Sequence, residues 1–170
     1  MSQDLSLDPA APSRVRYRVV AVCTLMALLL YLDRFCFAFA EVFIKEDLSL
    51  TDTQISYMLA GFNLTYAICQ VPSGWLSDRY GSRLMLTSYI VIWSLFTGLA
   101  GAAIGIVTLV LFRFGMGIGQ AGAYPTSAKI VTQWMPLNAR GSASGIISSG
   151  GRMGAVIAPL LTAYLMVLLI

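Results

Sequence analysis

An all-α membrane bundle of about five helices is the fold that the sequence predicts, and three observations carry it. Of 170 residues, 58% are hydrophobic and only 11% are charged, against about 25% charged in an ordinary soluble domain. Mean hydropathy is +0.77. The apolar residues come in long blocks between short polar stretches, without strand-like alternation.

Each block has roughly the 20 residues that carry a helix across the hydrocarbon core. They run over 17–40, 53–76, 84–103, 106–130 and 141–166. Residues 1–16, with Asp4, Asp8, Pro9 and Pro12, read as a disordered cytoplasmic tail, and 17–170 as the bundle. Arg14, Arg16 and Arg18 precede the first block, Arg79 and Arg83 join the second to the third, and Lys129 and Arg140 flank the link from fourth to fifth. All of them fall on one side of an up-and-down bundle. The first loop on the other side sets Lys45 against Glu41, Glu46, Asp47 and Asp52. Positive loops stay inside, so the chain is expected to be a multi-pass protein of the cell's inner membrane with a cytoplasmic N-terminus. A cleaved secretory signal is the rival reading of the first block, but Asp33 and Arg34 interrupt it before the candidate cleavage site Ala38-Phe39-Ala40. The chain stops at Ile170 while still apolar, with no sixth block, and reads as part of something longer.

Composition excludes several kinds of chemistry. There is no histidine, and Cys23, Cys36 and Cys69 lie inside apolar blocks at spacings that suit neither zinc nor a disulfide framework. Neither an enzyme nor a cofactor is therefore expected. The net charge of +3 is not gathered into a basic face, so no nucleic-acid partner is expected either. Gly117-Ile-Gly119-Gln-Ala-Gly122 fits a dinucleotide-binding pattern, yet no acidic residue follows Asp78 to hold a ribose. Nine of the 15 glycines instead lie between Gly115 and Gly154, with four-residue pairs at Gly115/Gly119, Gly141/Gly145 and Gly150/Gly154, a pattern of close helix packing in membranes. Pro125 and Pro159 predict kinks.

Four charges sit inside the blocks: Asp33, Arg34, Arg113 and Arg152. Each costs at least ~2.5–3.5 kcal/mol at mid-membrane unless it faces a partner or a wet cavity. At 1.5 Å per residue, Arg34 lies roughly 24 Å from Arg18, and Arg113 about 10 Å from the opposite end of its block. In a core about 30 Å thick these heights nearly coincide. Two level arginines with few carboxylates predict an anion site. A salt bridge from Asp33 to one arginine is the plainer alternative, but it cannot neutralise three. Tyr31 shares a helical face with Arg34, while Asp33 points about 100° away and is free either to exchange a proton or to orient its neighbours. Arg152, about 17 Å into its block, is expected either to add a third positive group to the cavity or to line a water path.

One stretch identifies a family. Gly74-Trp-Leu76-Ser-Asp78-Arg79-Tyr-Gly81-Ser-Arg83-Leu-Met-Leu86 stands between the second and third blocks and resembles the signature loop G-x-L-x-D-R-x-G-R-[KR]-x-x-L of the major facilitator superfamily, departing from it at Ser82. Tyr31-Leu-Asp33-Arg34, the run from Arg113 through Gln120 to Pro125, and Ser149-Gly150 to Ala158-Pro159 are similar to its anion:cation symporter branch, which includes hexuronate, galactonate and sialic-acid carriers.

That resemblance implies most of the six-helix N-terminal half of a transporter in which two such halves rock around a midplane site. It implies a small organic anion (a sugar acid or carboxylate) as substrate, gripped by Arg34 and Arg113 and touched by Tyr31 and Tyr66. Asp33 would carry the coupling proton, and Gly74, Asp78, Arg79, Gly81 and Arg83 would form the gating loop. Gln120 stands among the substrate-binding positions, where the branch often has a protonatable glutamate, and Arg152 where a small residue is usual; both departures bear on the coupling cation, proton or sodium, and on substrate charge. The fifth block lacks the full antiporter pattern G-P-x-x-G-G, which favours symport or uniport over drug export. The implied partners are the bilayer, the anion, its cation and a missing C-terminal half or partner bundle, without which no transport is expected. A membrane protein that binds or senses without transporting, or half of a drug:proton antiporter, are the alternatives.

Overall fold

The computed structural model describes residues 14–169, which are helical almost throughout and contain no strand. Five helices follow one another as α1 Val15–Asp47, α2 Asp52–Tyr80, α3 Ser82–Ala100, α4 Ile106–Ala121 and α5 Ala123–Trp134. A 3₁₀ turn, Leu137–Ala139, then leads into α6, Arg140–Leu169. The stretches Val15–Asp47, Ser82–Ala100, Ile106–Trp134 and Leu137–Leu168 are long and apolar enough to cross a membrane. Helix α2 is long enough at 29 residues, but Asn63, Thr65, Gln70, Ser73 and Ser77 make it more polar than the others.

The helix ends follow local chemistry rather than the edges of the apolar blocks. Thr51 and Gln54 form a reciprocal capping box, Gln54 N–H donating to Thr51 Oγ1 at 3.3 Å and Thr51 N–H to Gln54 Oε1 at 2.8 Å. Gly81 separates α2 from α3 at φ 92°, a left-handed conformation that a side chain would strain. Within the fourth apolar block the helix breaks at Gly122. Pro125, three residues on, has no N–H to give the Ala121 carbonyl, so α4 and α5 are two helices in one crossing. Val15 and Arg16, placed in the expected tail over 1–16, belong to α1, and residues 1–13 lie outside the described residues.

Polarity is inverted relative to a soluble domain. Val71 is 80% exposed and Ile68, Leu111 and Val156 are also exposed, whereas Arg113 and Gln120 are among the most deeply buried side chains. α1 packs along α6, and α4 lies against both α2 and α3. Glycines set these approaches. A Cβ on Gly115 would strike the Phe96 ring of α3, one on Gly119 the backbone and Cβ of Trp93, and one on Gly122, at the α4–α5 break, the Tyr89 ring. On α6, a Cβ at Gly150 or Gly154 would meet the backbone of α1 at Thr24 or Leu28. The Gly141/Gly145 pair, read from the same spacing as a packing seam, meets nothing within 4 Å among the described residues.

Candidate functional site

Three helices converge on one polar cluster. α1 supplies Tyr31, Asp33 and Arg34, α2 supplies Phe62 and Tyr66, and α4 supplies Arg113 and Gln120. The α2–α4 approach that makes this possible is very close: a Cβ on Gly117 would lie 2.1 Å from Thr65 Oγ1 and 2.8 Å from the Phe62 carbonyl.

Gln120 is fully buried and bridges the two adjacent charges of α1. Its Oε1 accepts from Arg34 Nη2 at 3.3 Å, and its Nε2 donates to Asp33 Oδ2 at 2.9 Å. Thr97 of α3 donates to the same carboxylate oxygen at 3.3 Å. Neighbours in sequence that point about 100° apart are thus joined through one amide from another helix. The salt bridge weighed for Asp33 does not form: among the described residues the ion pairs are Lys45–Asp52 and Lys129–Asp78.

Aromatic faces surround both arginines. The Arg34 Cζ lies 4.5 Å from the Tyr66 ring centre, 4.9 Å from Phe62 and 5.7 Å from Tyr31. The Arg113 Cζ lies 3.9 Å from Phe37 and 4.6 Å from Phe62. Such contacts replace part of the hydration a guanidinium loses on burial. They occupy its faces and leave its N–H groups. Arg34 Nε and Arg113 Nε and Nη1 are buried without a hydrogen-bond partner among the described residues, and donors in that state call for an acceptor. Chemically the cluster presents two cations and one carboxylate, with free donors on both cations.

Arg34, Arg113, Asp33, Gln120, Tyr31 and Tyr66 therefore meet in one place. Arg152 is not brought into this group. It is exposed on α6, beside Gly151, which is the position that faces Tyr31 and Tyr124. Depth along a helix had placed it at the right height, but its direction around the helix axis turns it away from the cluster. Phe62, Phe37, Tyr124 and Thr97 were not legible as site residues, since aromatic and hydroxyl residues in a span carry no contrast against their neighbours. The spacing of Phe62 and Tyr66, four apart on one face of α2, is the only signal they leave.

The Gly74–Arg83 stretch lies at the far end of α2. Asp78 pairs with Lys129 of α5 at 2.9 Å, and the same ammonium donates to the Ser77 carbonyl at 2.8 Å. Arg79 is exposed over Trp75 and Tyr80, and Arg83 is exposed in the first turn of α3. Gly74 lies against Pro125, where a Cβ would make ordinary contact at 3.6 Å. Lys129, read from sequence only as a topology marker, is the residue that ties this loop to α5.

Comparison with known proteins agrees with this architecture. The profile of the Major Facilitator Superfamily matches residues 23–169. A probable sulfoacetate transporter of Cupriavidus necator is 36% identical over 146 residues, 86% of this chain and 34% of that protein. A D-galactonate transporter of Escherichia coli O6:H1 is 36% identical over 93% of this chain and 37% of its own length. A hexuronate transporter of Bacillus subtilis is 36% identical over 85% of this chain and 34% of its own. Among solved structures, a bacterial homologue of the human lysosomal transporter Spinster, inward-facing and occupied, superposes with a TM-score of 0.78 at 34% identity, covering 86% of this chain and 32% of that one. The chain thus spans about a third of the length of the proteins it matches. Its helices and its Gly74–Arg83 loop are those of a membrane transporter rather than an enzyme, and the chain belongs to the Major Facilitator Superfamily.

Proposed function

We propose that these residues form the anion-binding part of a transporter for sugar acids or related small organic anions, working by alternating access together with a C-terminal half. The observation that carries this reading is the buried Arg113 and half-buried Arg34 beside Phe62, with three N–H-bearing nitrogens left without partners. A carboxylate matches such donors in charge and geometry. The sugar-acid names of the galactonate and hexuronate relatives support the same class.

Asp33 is the coupling carboxylate in this reading, and transport is symport with a cation. Its donors are the Gln120 amide and the Thr97 hydroxyl, neither of which exchanges a proton near neutral pH, so Asp33 would be the sole carrier in the cluster. The reading places the chain in the inner membrane, and the arginine distribution supports a cytoplasmic N-terminus.

The test is uptake of labelled D-galactonate into proteoliposomes holding the full-length protein. Arg34→Gln and Arg113→Gln should each lower saturable uptake about 100-fold. Asp33→Asn should abolish accumulation driven by an inward proton gradient while leaving exchange of galactonate across the membrane intact. Uptake unchanged by both arginine substitutions would sink the anion site. Gradient-driven accumulation by Asp33→Asn would remove Asp33 from coupling.

A further inference from the structure

Phe62 is the one ring that both arginines share, with Arg34 Cζ at 4.9 Å and Arg113 Cζ at 4.6 Å from its centre. Two cations approaching each other in a low-dielectric interior repel strongly. An aromatic face carries the negative end of a quadrupole and attracts each of them. A ring within reach of both guanidiniums therefore lowers the repulsion that would otherwise drive them apart.

The ring is held firmly. Phe62 is 2% exposed and stacks on Tyr66, with centres 6.1 Å apart and planes at 19°. Its carbonyl lies against Gly117, where the α2–α4 approach leaves no room for a Cβ. Arg113 has Phe37 as a further ring, and Arg34 has Tyr31 and Tyr66, but none of these touches both. The shared ring takes guanidinium faces, and the unpartnered nitrogens of both arginines stay available for an acceptor.

We propose that Phe62 is a positioning residue of the transporter, setting through its ring face how closely the two arginines stand and hence how tightly they bind an anion together. This rests on the reading of Arg34 and Arg113 as the anion site. Phe62 does not touch the substrate in this scheme; it acts through the two guanidiniums.

Removing ring electrons without changing ring shape tests this directly. In the full-length protein, Phe62 is replaced in turn by phenylalanine carrying one, two and three ring fluorines, and KM and maximal rate for D-galactonate uptake are measured in proteoliposomes. KM should climb with each fluorine, reaching about tenfold with three, while the maximal rate stays within about twofold. Phe62→Leu, which has no ring face, should raise KM at least as far. A KM independent of fluorination overturns the proposal, because a merely packing role would not sense ring charge. Arg34→Lys and Arg113→Lys, assayed alongside, separate the two failures. If they weaken binding while fluorination does not, only the role of Phe62 falls; if they too keep the parent KM, the anion site falls with it.

Discussion

Arg113 and Arg79 are the same residue type, and each lies over two aromatic rings, but one is 2% exposed in the middle of the bundle and the other is exposed at its end. At the end of α2, water solvates the guanidinium and the Trp75 and Tyr80 rings add little. In the cluster, Phe37 and Phe62 take over part of the work of water, and two of the three guanidinium nitrogens, Nε and Nη1, lack partners. The same guanidinium is thus open to water in one region and left with unpartnered donors in the other. Burial, not residue type, makes the difference.

Substituting the two arginines identically is the sharpest way to break this comparison. Arg113→Gln should lower D-galactonate uptake by the full-length protein about 100-fold, on the order of 3 kcal/mol, as loss of a desolvated charge that pairs with ligand does. Arg79→Gln should change it by less than about threefold, as expected of an exposed cation. Circular dichroism should show both variants folded. Equal losses would mean that the end of α2 is as tightly bound up with transport as the core.

A second contrast sets two helical glycines against each other. Gly117→Ala forces a methyl against the Phe62 carbonyl, which is backbone and cannot rotate away. It should lower stability by about 1–3 kcal/mol, seen as a fall in Tm in detergent, and raise KM as Phe62 shifts. Gly145→Ala meets open space and should raise stability by about 0.5–1 kcal/mol through helix propensity alone. Destabilisation by Gly145→Ala in the full-length protein would show that some surface beyond these residues packs there.

These contrasts also mark what the sequence makes legible. Membrane class, the helical crossings and the charged members of the cluster stand out because charge and polarity are rare in apolar blocks, so Arg34, Arg113 and Asp33 announce themselves. Phe62 and Phe37 do not, being apolar residues among apolar residues. Depth is a one-dimensional quantity that 1.5 Å per residue supplies; direction around the axis is not, and depth alone does not tell that Arg152 stands outside the cluster. The link from Arg34 through Gln120 to Asp33 depends on the separation of α1 from α4, which no single helix encodes. Four-residue glycine spacing is identical at Gly150/Gly154 and Gly141/Gly145, yet only the first pair meets another helix.

The smallest effect belongs to the Asp78–Lys129 pair. Lys129 is partly buried and also donates to the Ser77 carbonyl, whereas the Asp78 carboxylate is largely exposed. The two ends of this ion pair are therefore unequal. Asp78→Asn leaves the ammonium its carbonyl acceptor, but Lys129→Met removes one of the two donors to the Ser77 carbonyl, which keeps the Gly81 N–H, as well as the carboxylate's partner. Stability measured by Tm should drop by about 0.5 kcal/mol or less for Asp78→Asn and by about 1 kcal/mol for Lys129→Met. The double variant should be no worse than Lys129→Met alone, since the coupling is already lost. Raising salt should shrink the Asp78→Asn effect, because an exposed pair is screened, and leave the remainder of the Lys129→Met effect in place. If the two single variants instead lose the same stability and salt removes both losses, the bond to Ser77 adds nothing and α5 is tied to α2 by surface charge alone.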